Sequence, residues 1–263
     1  MSPPTASPDA ERELRERNRR FYDALWRDAR LVMPERFNTW PLVESLLPER
    51  PRRLEVAPGL RPRLPVADTH FADISPPALA ALAAAGGRAA CALVSRLPYA
   101  DAAFDLVAAM DIVEHVDDDL PAFAELARVT APGGLFLLSV PLHPQAWTPF
   151  DEFVGHRRRY EPERLLALLA AHGFAVERSA VHGMQPASSR LLDLGMWFLT
   201  HQRRRAMWWY NRVGMPLSVR FQAPLAVQDG MIATAGVDTV LLVCRRTAPD
   251  PDAAIPSPRN GHG

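Results

Sequence analysis

The chain has 263 residues, enough for one large domain or two small ones, and its 30 basic residues balance 30 acidic ones. Every basic residue is Arg. The lack of Lys excludes Schiff-base chemistry and a Lys-dependent phosphate loop, and zero net charge argues against a nucleic-acid partner.

The N-terminal twenty residues have no apolar core of the kind a signal peptide needs, and no run approaches the roughly 18 apolar residues of a spanning helix. A soluble, cytoplasmic protein is expected. Residues 1–9 are rich in Pro and Ser and are read as disordered. From Glu11 the pattern turns helical: Glu11 with Arg15 and Glu13 with Arg17 form acid-before-base pairs four apart, and Phe21, Leu25 and Leu31–Val32 supply an apolar stripe. A second short helix is predicted over 40–48, so that 10–50 packs helices onto the main domain, 51–246. Within that domain, apolar runs at 53–57, 70–74, 89–94, 104–110, 134–140, 174–181 and 238–244 read as strands, and 76–85, 118–129 and 162–172 as helices. Ser75 is placed to cap the first of these helices, with Pro76 at its first position. Two cysteines, Cys91 and Cys244, are too few for a disulfide scaffold or a Cys-rich zinc site, and both lie in apolar runs that read as buried. Residues 247–263, with four Pro, read as a flexible tail.

Strand–helix alternation with near-continuous apolar strands predicts a parallel sheet covered on both faces, with ligands bound beyond the C-terminal strand ends. The first strand ends in Leu54-Glu55-Val56-Ala57-Pro58-Gly59, an acid followed by a Gly-containing turn. The turn lets backbone approach a nucleoside-type ligand, and the acid accepts hydrogen bonds. The second strand ends in Asp73, which suits either ribose hydroxyls or a helix N-terminus.

In order along the chain come Leu97-Pro98-Tyr99, Phe104-Asp105-Leu106-Val107, Glu114-His115-Val116, Arg128-Val129 with Pro132-Gly133-Gly134, and Gly155-His156-Arg157-Arg158-Arg159-Tyr160. This series resembles the class I S-adenosylmethionine-dependent methyltransferases that act on small molecules. The resemblance implies an α/β, Rossmann-like, doubly wound mixed sheet of seven strands, the last antiparallel, and S-adenosyl-L-methionine as cofactor. It implies that Glu55, Ala57 and Gly59 line the methionine end of the cofactor. Asp73 would hold the ribose hydroxyls, Ile74, Arg96 and Leu97 would border the adenine, and Met110 and Asp111 would face the sulfonium and the substrate.

The chain also departs from that family. Ala57 and Arg61 stand at two of the turn's usual Gly positions, and Gly59 to Asp73 spans 14 residues where about 20 is usual. Pro62 and Pro65 exclude a full helix from that interval, so an extended loop is expected, with Arg61 or Arg63 replacing the lost helix N-terminus as cation. His156 and then Asp111 are the candidate general bases for methyl transfer to oxygen, and His115, His143, Trp147, Arg158 and Tyr160 are the candidate substrate contacts. The acids at 111–119 read as a helix N-terminus and no metal site is expected. The Arg triplet reads as a loop anchored on carboxylates or carbonyls. Residues 184–236 form an insertion of about 50 residues before the last strand. Its Trp and Arg content, densest over 190–220, fits a substrate cap, a peripheral membrane contact or a packed helix. The alternatives to a methyltransferase are a non-catalytic binding protein of the same fold and, less favoured for want of a GxGxxG turn, a nicotinamide oxidoreductase.

Overall fold

A computed structural model of the chain describes residues 25–183 and 189–247, and for 189–193 the backbone alone. The expected disordered segment 1–9, the helix from Glu11 with Phe21, and 248–263 of the expected tail lie outside the described residues, as do 184–188 of the insertion.

Among the described residues, eight strands form one sheet in the order β3-β2-β1-β4-β5-β8-β6-β7. They are β1 (Arg53–Val56), β2 (Thr69–Asp73), β3 (Arg88–Cys91), β4 (Phe104–Met110), β5 (Thr130–Pro141), β6 (Phe174–His182), β7 (Gln228–Asp229) and β8 (Thr239–Arg246). The strands from β1 to β5 pair in parallel, and β8 runs antiparallel between β5 and β6. The expected antiparallel last strand is present. The expected count of seven is corrected to eight, because Gln228 and Asp229 of the insertion pair with Ser179 and Arg178. A strand of two residues carries no alternation that a sequence pattern could reveal.

The helices are α1 (Trp40–Leu46), α2 (Pro76–Ala84), α3 (Leu120–Val129), α4 (Pro149–Val154), α5 (Pro162–Ala171), α6 (Ser189–His201), α7 (Arg203–Trp209) and α8 (Met215–Arg220). α2, α3 and α5 fall within two residues of their expected bounds. Phe123 and Leu126 of α3, and Leu165 and Leu168 of α5, join Leu54, Val107 and Phe136 in the larger core. On the other face Val43 and Leu46 of α1 meet Leu106, Leu137 and Leu241. Two local expectations are corrected. Ser75 makes no side-chain cap on α2; the Asp73 carboxylate, two residues earlier, instead accepts the Ser75 N–H at 2.8 Å. Cys91 is exposed while Cys244 is buried, because β3 ends the sheet and three of its four residues are exposed.

The crossover from β1 to β2 contains no helix, as its prolines predict. Leu60, Leu64 and Val66 of this loop are buried, and Leu64 lies in the cluster with Val43 and Leu46. The loop and α1 together cover the strip of sheet that a crossover helix would otherwise cover. α6 to α8 and the wider turn Tyr210–Gly214 fold back on the N-terminal segment. The Asn211 side chain accepts the Arg30 N–H at 3.0 Å and donates to the Asp28 carbonyl at 2.7 Å.

Candidate active site

The sheet order reverses between β1 and β4, and Glu55, Ala57, Gly59, Met110 and Asp111 lie at the C-terminal ends of those two strands. Beyond β1 the backbone turns through Ala57 at φ 56° and Gly59 at φ 53°. Glu55 is buried and accepts the backbone N–H groups of Arg63 and Leu64, both at 2.9 Å. Burial pushes its carboxyl up to about 7, and those backbone donors and the Arg63 charge hold the rise back. Asp73 at the end of β2 is also buried and accepts the Gly59 N–H at 3.0 Å. The two acids of the expected crevice thus also pin the loop that stands in for the missing helix. The buried Ser75 hydroxyl beside Asp73 has no hydrogen-bond partner.

Above this turn lies Trp26. A Cβ built on Gly59 would sit 2.3 Å from the Trp26 ring, so only Gly permits the approach. Arg61 donates to the Leu60 and Arg30 carbonyls at 2.6 Å and to the Tyr210 hydroxyl at 3.0 Å. Its guanidinium stands 5.2 Å from the Tyr210 ring centre and 5.7 Å from that of Trp26. Arg63 is buried with its guanidinium 3.7 Å from the Phe37 ring centre. Of the expected adenine border, Leu97 is buried and donates its N–H to Glu125 at 2.7 Å, Arg96 is exposed and Ile74 half-buried. Ala57 and Met110 are half-buried.

Just beyond the tip of β4, Asp111 is exposed, has φ 53°, and accepts a 2.7 Å hydrogen bond from the Ser139 hydroxyl. The next turn, Val113–His115, carries a fully buried Glu114, neither of whose carboxylate oxygens has a hydrogen-bond partner. The His115 and His156 rings meet edge to face at 4.7 Å. His156 Nδ1 lies 2.7 Å from Asp151 Oδ1, and its Nε2 lies 3.9 Å from Glu114 Oε1. Burial and the Asp111 charge hold the Glu114 carboxyl well above the usual carboxylate range. Burial, with His156 alongside, takes His115 down to about 3. Although burial opposes it, the Asp151 carboxyl is held well below its ordinary value by the donors His156, Arg159 and Thr148.

Asp151 organises this corner. It accepts from the Thr148 N–H and hydroxyl, both at 2.8 Å, in a capping box that starts α4, and from Arg159 Nε at 3.0 Å. Arg159, with no side-chain exposure, also pairs with Asp238 at 2.7 Å. Arg157 pairs with Asp117 at 2.9 Å, and Arg158 and Arg164 each pair with Asp119 at 3.0 Å. The Arg triplet is thus an anchored loop. Tyr160 is a core residue whose hydroxyl donates to the Val113 carbonyl at 3.3 Å. His143 Nε2 lies 2.7 Å from the Thr234 carbonyl oxygen, and Trp147 is half-buried. The structure therefore brings Asp111, His115 and His156 together. Sequence reasoning missed Glu114, although it stands beside His115, and His182. The latter is a buried histidine ending β6 whose environment includes the Asp111 and Arg63 charges. A His at the C-terminal end of a strand was the available signal.

Residues 56–138 match the family model described as a methyltransferase domain. That stretch, about a third of the chain, is similar to a methyltransferase domain. A Mycolicibacterium smegmatis protein, described as a probable S-adenosylmethionine-dependent methyltransferase, is 36% identical over 88 residues, covering 32% of this chain and 34% of its own. The chain thus aligns with about a third of that relative's length. The likeness in fold extends beyond the matched stretch. An S-adenosylmethionine-dependent methyltransferase from Thermotoga maritima superposes with TM-score 0.54 at 16% identity, over 90% of this chain and 96% of its own. The [4+2]-cyclase SpnF superposes with TM-score 0.53 at 20% identity, over 79% of each chain.

Proposed function

We propose that the chain transfers a methyl group from S-adenosyl-L-methionine to an oxygen of a small-molecule acceptor. The reading is supported by the similarity of residues 56–138 to a methyltransferase domain and by an exposed Asp111 at the strand end where the sheet order reverses. Bound there, the cofactor supplies an electrophilic methyl group on a sulfonium. The residues fit it: Asp73 and the unpartnered Ser75 hydroxyl would face the ribose hydroxyls, and the Gly59 turn would take the cofactor once the Trp26 ring over it moves aside. Glu55, Ala57 and Met110 flank the methionine end, and Ile74, Arg96 and Leu97 the adenine. Arg61 and Arg63 keep positive charge beside the turn that has lost its helix. Asp111, oriented by Ser139, takes the acceptor's proton, while His156, set by Asp151, holds the acceptor side of the site. His143, Trp147 and Arg158 border the acceptor.

Thermal denaturation with S-adenosylmethionine, S-adenosylhomocysteine and NAD tests this. The first two should raise the midpoint, since a ligand that binds the folded state stabilises it. A shift with NAD alone refutes the assignment. One observation favours a second reading, a non-catalytic binding protein: Trp26 lies over Gly59, and Glu55 and Asp73 already accept backbone N–H groups. Under that reading neither sulfur ligand shifts the midpoint.

The insertion supports a further partner, an anionic lipid surface met through residues 190–220. Trp197, Trp208, Trp209, Leu217 and Phe221 are all at least 48% exposed. Five Arg and no acid occur over 194–228. Among the described residues no helix is long and apolar enough to cross a membrane, so the contact is peripheral. Co-sedimentation with phosphatidylglycerol-containing vesicles should exceed that with phosphatidylcholine alone and drop in W208A/W209A. Equal recovery with both lipids refutes it.

A further inference from the structure

Behind Asp111 sits a cluster that methyl transfer itself does not require. Glu114, His115 and His156 each offer one donor atom, and these atoms lie within 4.8 Å of one another. Three features separate this cluster from an ordinary buried polar group. Glu114 has no exposure, and both its oxygens lack a hydrogen-bond partner. Leaving such a carboxyl unsatisfied is costly, and a cation would satisfy it. His156 donates or shares its Nδ1 proton with Asp151 at 2.7 Å, which leaves Nε2 bare and turned to Glu114 at 3.9 Å. A carboxylate behind one imidazole nitrogen is the arrangement that fixes the tautomer and orientation of a metal-ligating histidine. His115 brings a second imidazole against His156, with ring centres 4.7 Å apart.

We propose that Glu114, His115 and His156 bind one divalent first-row transition metal ion of the zinc class. Two imidazoles and one carboxylate are a ligand set for zinc or iron(II), whereas magnesium and calcium prefer oxygen ligands. Metal–ligand bonds of about 2.1 Å in a tetrahedral site set donor atoms about 3.4 Å apart. The three donors, now within 4.8 Å, therefore close on the ion by about 1 Å. Three protein ligands leave the fourth position open, the arrangement of catalytic rather than purely structural zinc sites. The open position is assigned to the Asp111 side, where the end of β4 leads into the Val113–His115 turn. An acceptor hydroxyl held there would be polarised beside the residue that takes its proton. Metal binding does not rest on the methyltransferase reading, and it is measured without turnover.

The test uses the full chain with Cys91→Ser, which removes an exposed thiol that could bind zinc on its own. Metal-free protein is dialysed against Zn(II) and the bound metal counted, then titrated with Co(II) and its visible d–d absorption recorded. One equivalent of Zn(II) per chain and an intense tetrahedral Co(II) spectrum without thiolate charge transfer are expected. E114Q and H156N should each lower the affinity at least tenfold, with circular dichroism confirming that both fold. Less than a tenth of an equivalent bound, or no visible Co(II) band, overturns the proposal whether or not the variants fold. Retention of full affinity by both variants overturns it as well. Full metal binding by protein that transfers no methyl group would instead count against the proposed function.

Discussion

Replacing Asp151 with Asn should cost about 3 kcal/mol of folding stability. The carboxylate accepts four hydrogen bonds, from the Thr148 N–H and hydroxyl, from His156 and from Arg159. Asn keeps one acceptor oxygen and adds an NH2 donor that faces other donors. Arg159 then retains its charge with no side-chain exposure and only Asp238, itself 47% exposed, opposite it. Breaking a buried ion pair from one side costs roughly 3–5 kcal/mol, and the surviving partner places the effect at the lower end. Urea unfolding followed by Trp fluorescence at pH 7 measures it. Asp238→Asn is the comparison, because its pair with Arg159 is half solvent-exposed and should be worth under about 1 kcal/mol. The pH dependence has a definite sign. Hydrogen bonding and charge hold the folded Asp151 pKa below its unfolded value, so its contribution is complete above about pH 4 and is lost in stronger acid. The gap between wild type and variant should therefore be constant from pH 5 to 8 and close only below that. A loss under about 1 kcal/mol, or equal losses for the two substitutions, would refute the view that Asp151 is the corner's organising residue.

Glu55 gives the opposite pH signature. Its folded pKa, raised to about 7 from 4.5, means the unfolded chain ionises first, so wild-type stability should fall between those two values by up to about 3 kcal/mol. Glu55→Gln should flatten the urea midpoint over that window, and an unchanged slope refutes the assignment. Gly59→Ala should cost about 1 kcal/mol for its φ of 53° and more for displacing Trp26. In a Trp26→Ala background only the first part should remain, so strict additivity in a double-mutant cycle would count against the stacking. Arg61→Ala and Arg63→Ala should each weaken S-adenosylmethionine binding in isothermal titration, and unchanged affinity in both sinks the idea that they replace the helix N-terminus.

The parts of the fold that follow from short-range pattern were legible in the sequence. Continuous apolar runs marked β4 and β5 because both faces of those strands are covered. Pro62 and Pro65 foretold the helix-free crossover, since proline removes the donors a helix needs. The candidate site was legible wherever chemistry-bearing residues were close in sequence, as with Asp111 and His115. What escaped depends on partners far along the chain. Glu114 becomes a buried, unpartnered carboxyl only when the loop bearing His156 closes over it. Tyr160 read as a substrate contact because nothing local reveals that its ring sits in the core. Cys91 read as buried because an apolar strand sequence does not say which strand forms the sheet's edge.

The helix-free crossover has a consequence for how this protein could change over time. Its loop is pinned by Asp73 and Glu55, overlain by Trp26 from the N-terminal segment, and tied by Arg61 to Tyr210 in the insertion, 149 residues away. Loop and insertion are mechanically joined, so a change in the insertion that moves Tyr210 also shifts Arg61 and the Gly59 turn. Under the proposed function, cofactor affinity at the Gly59 turn would therefore depend on the insertion as well.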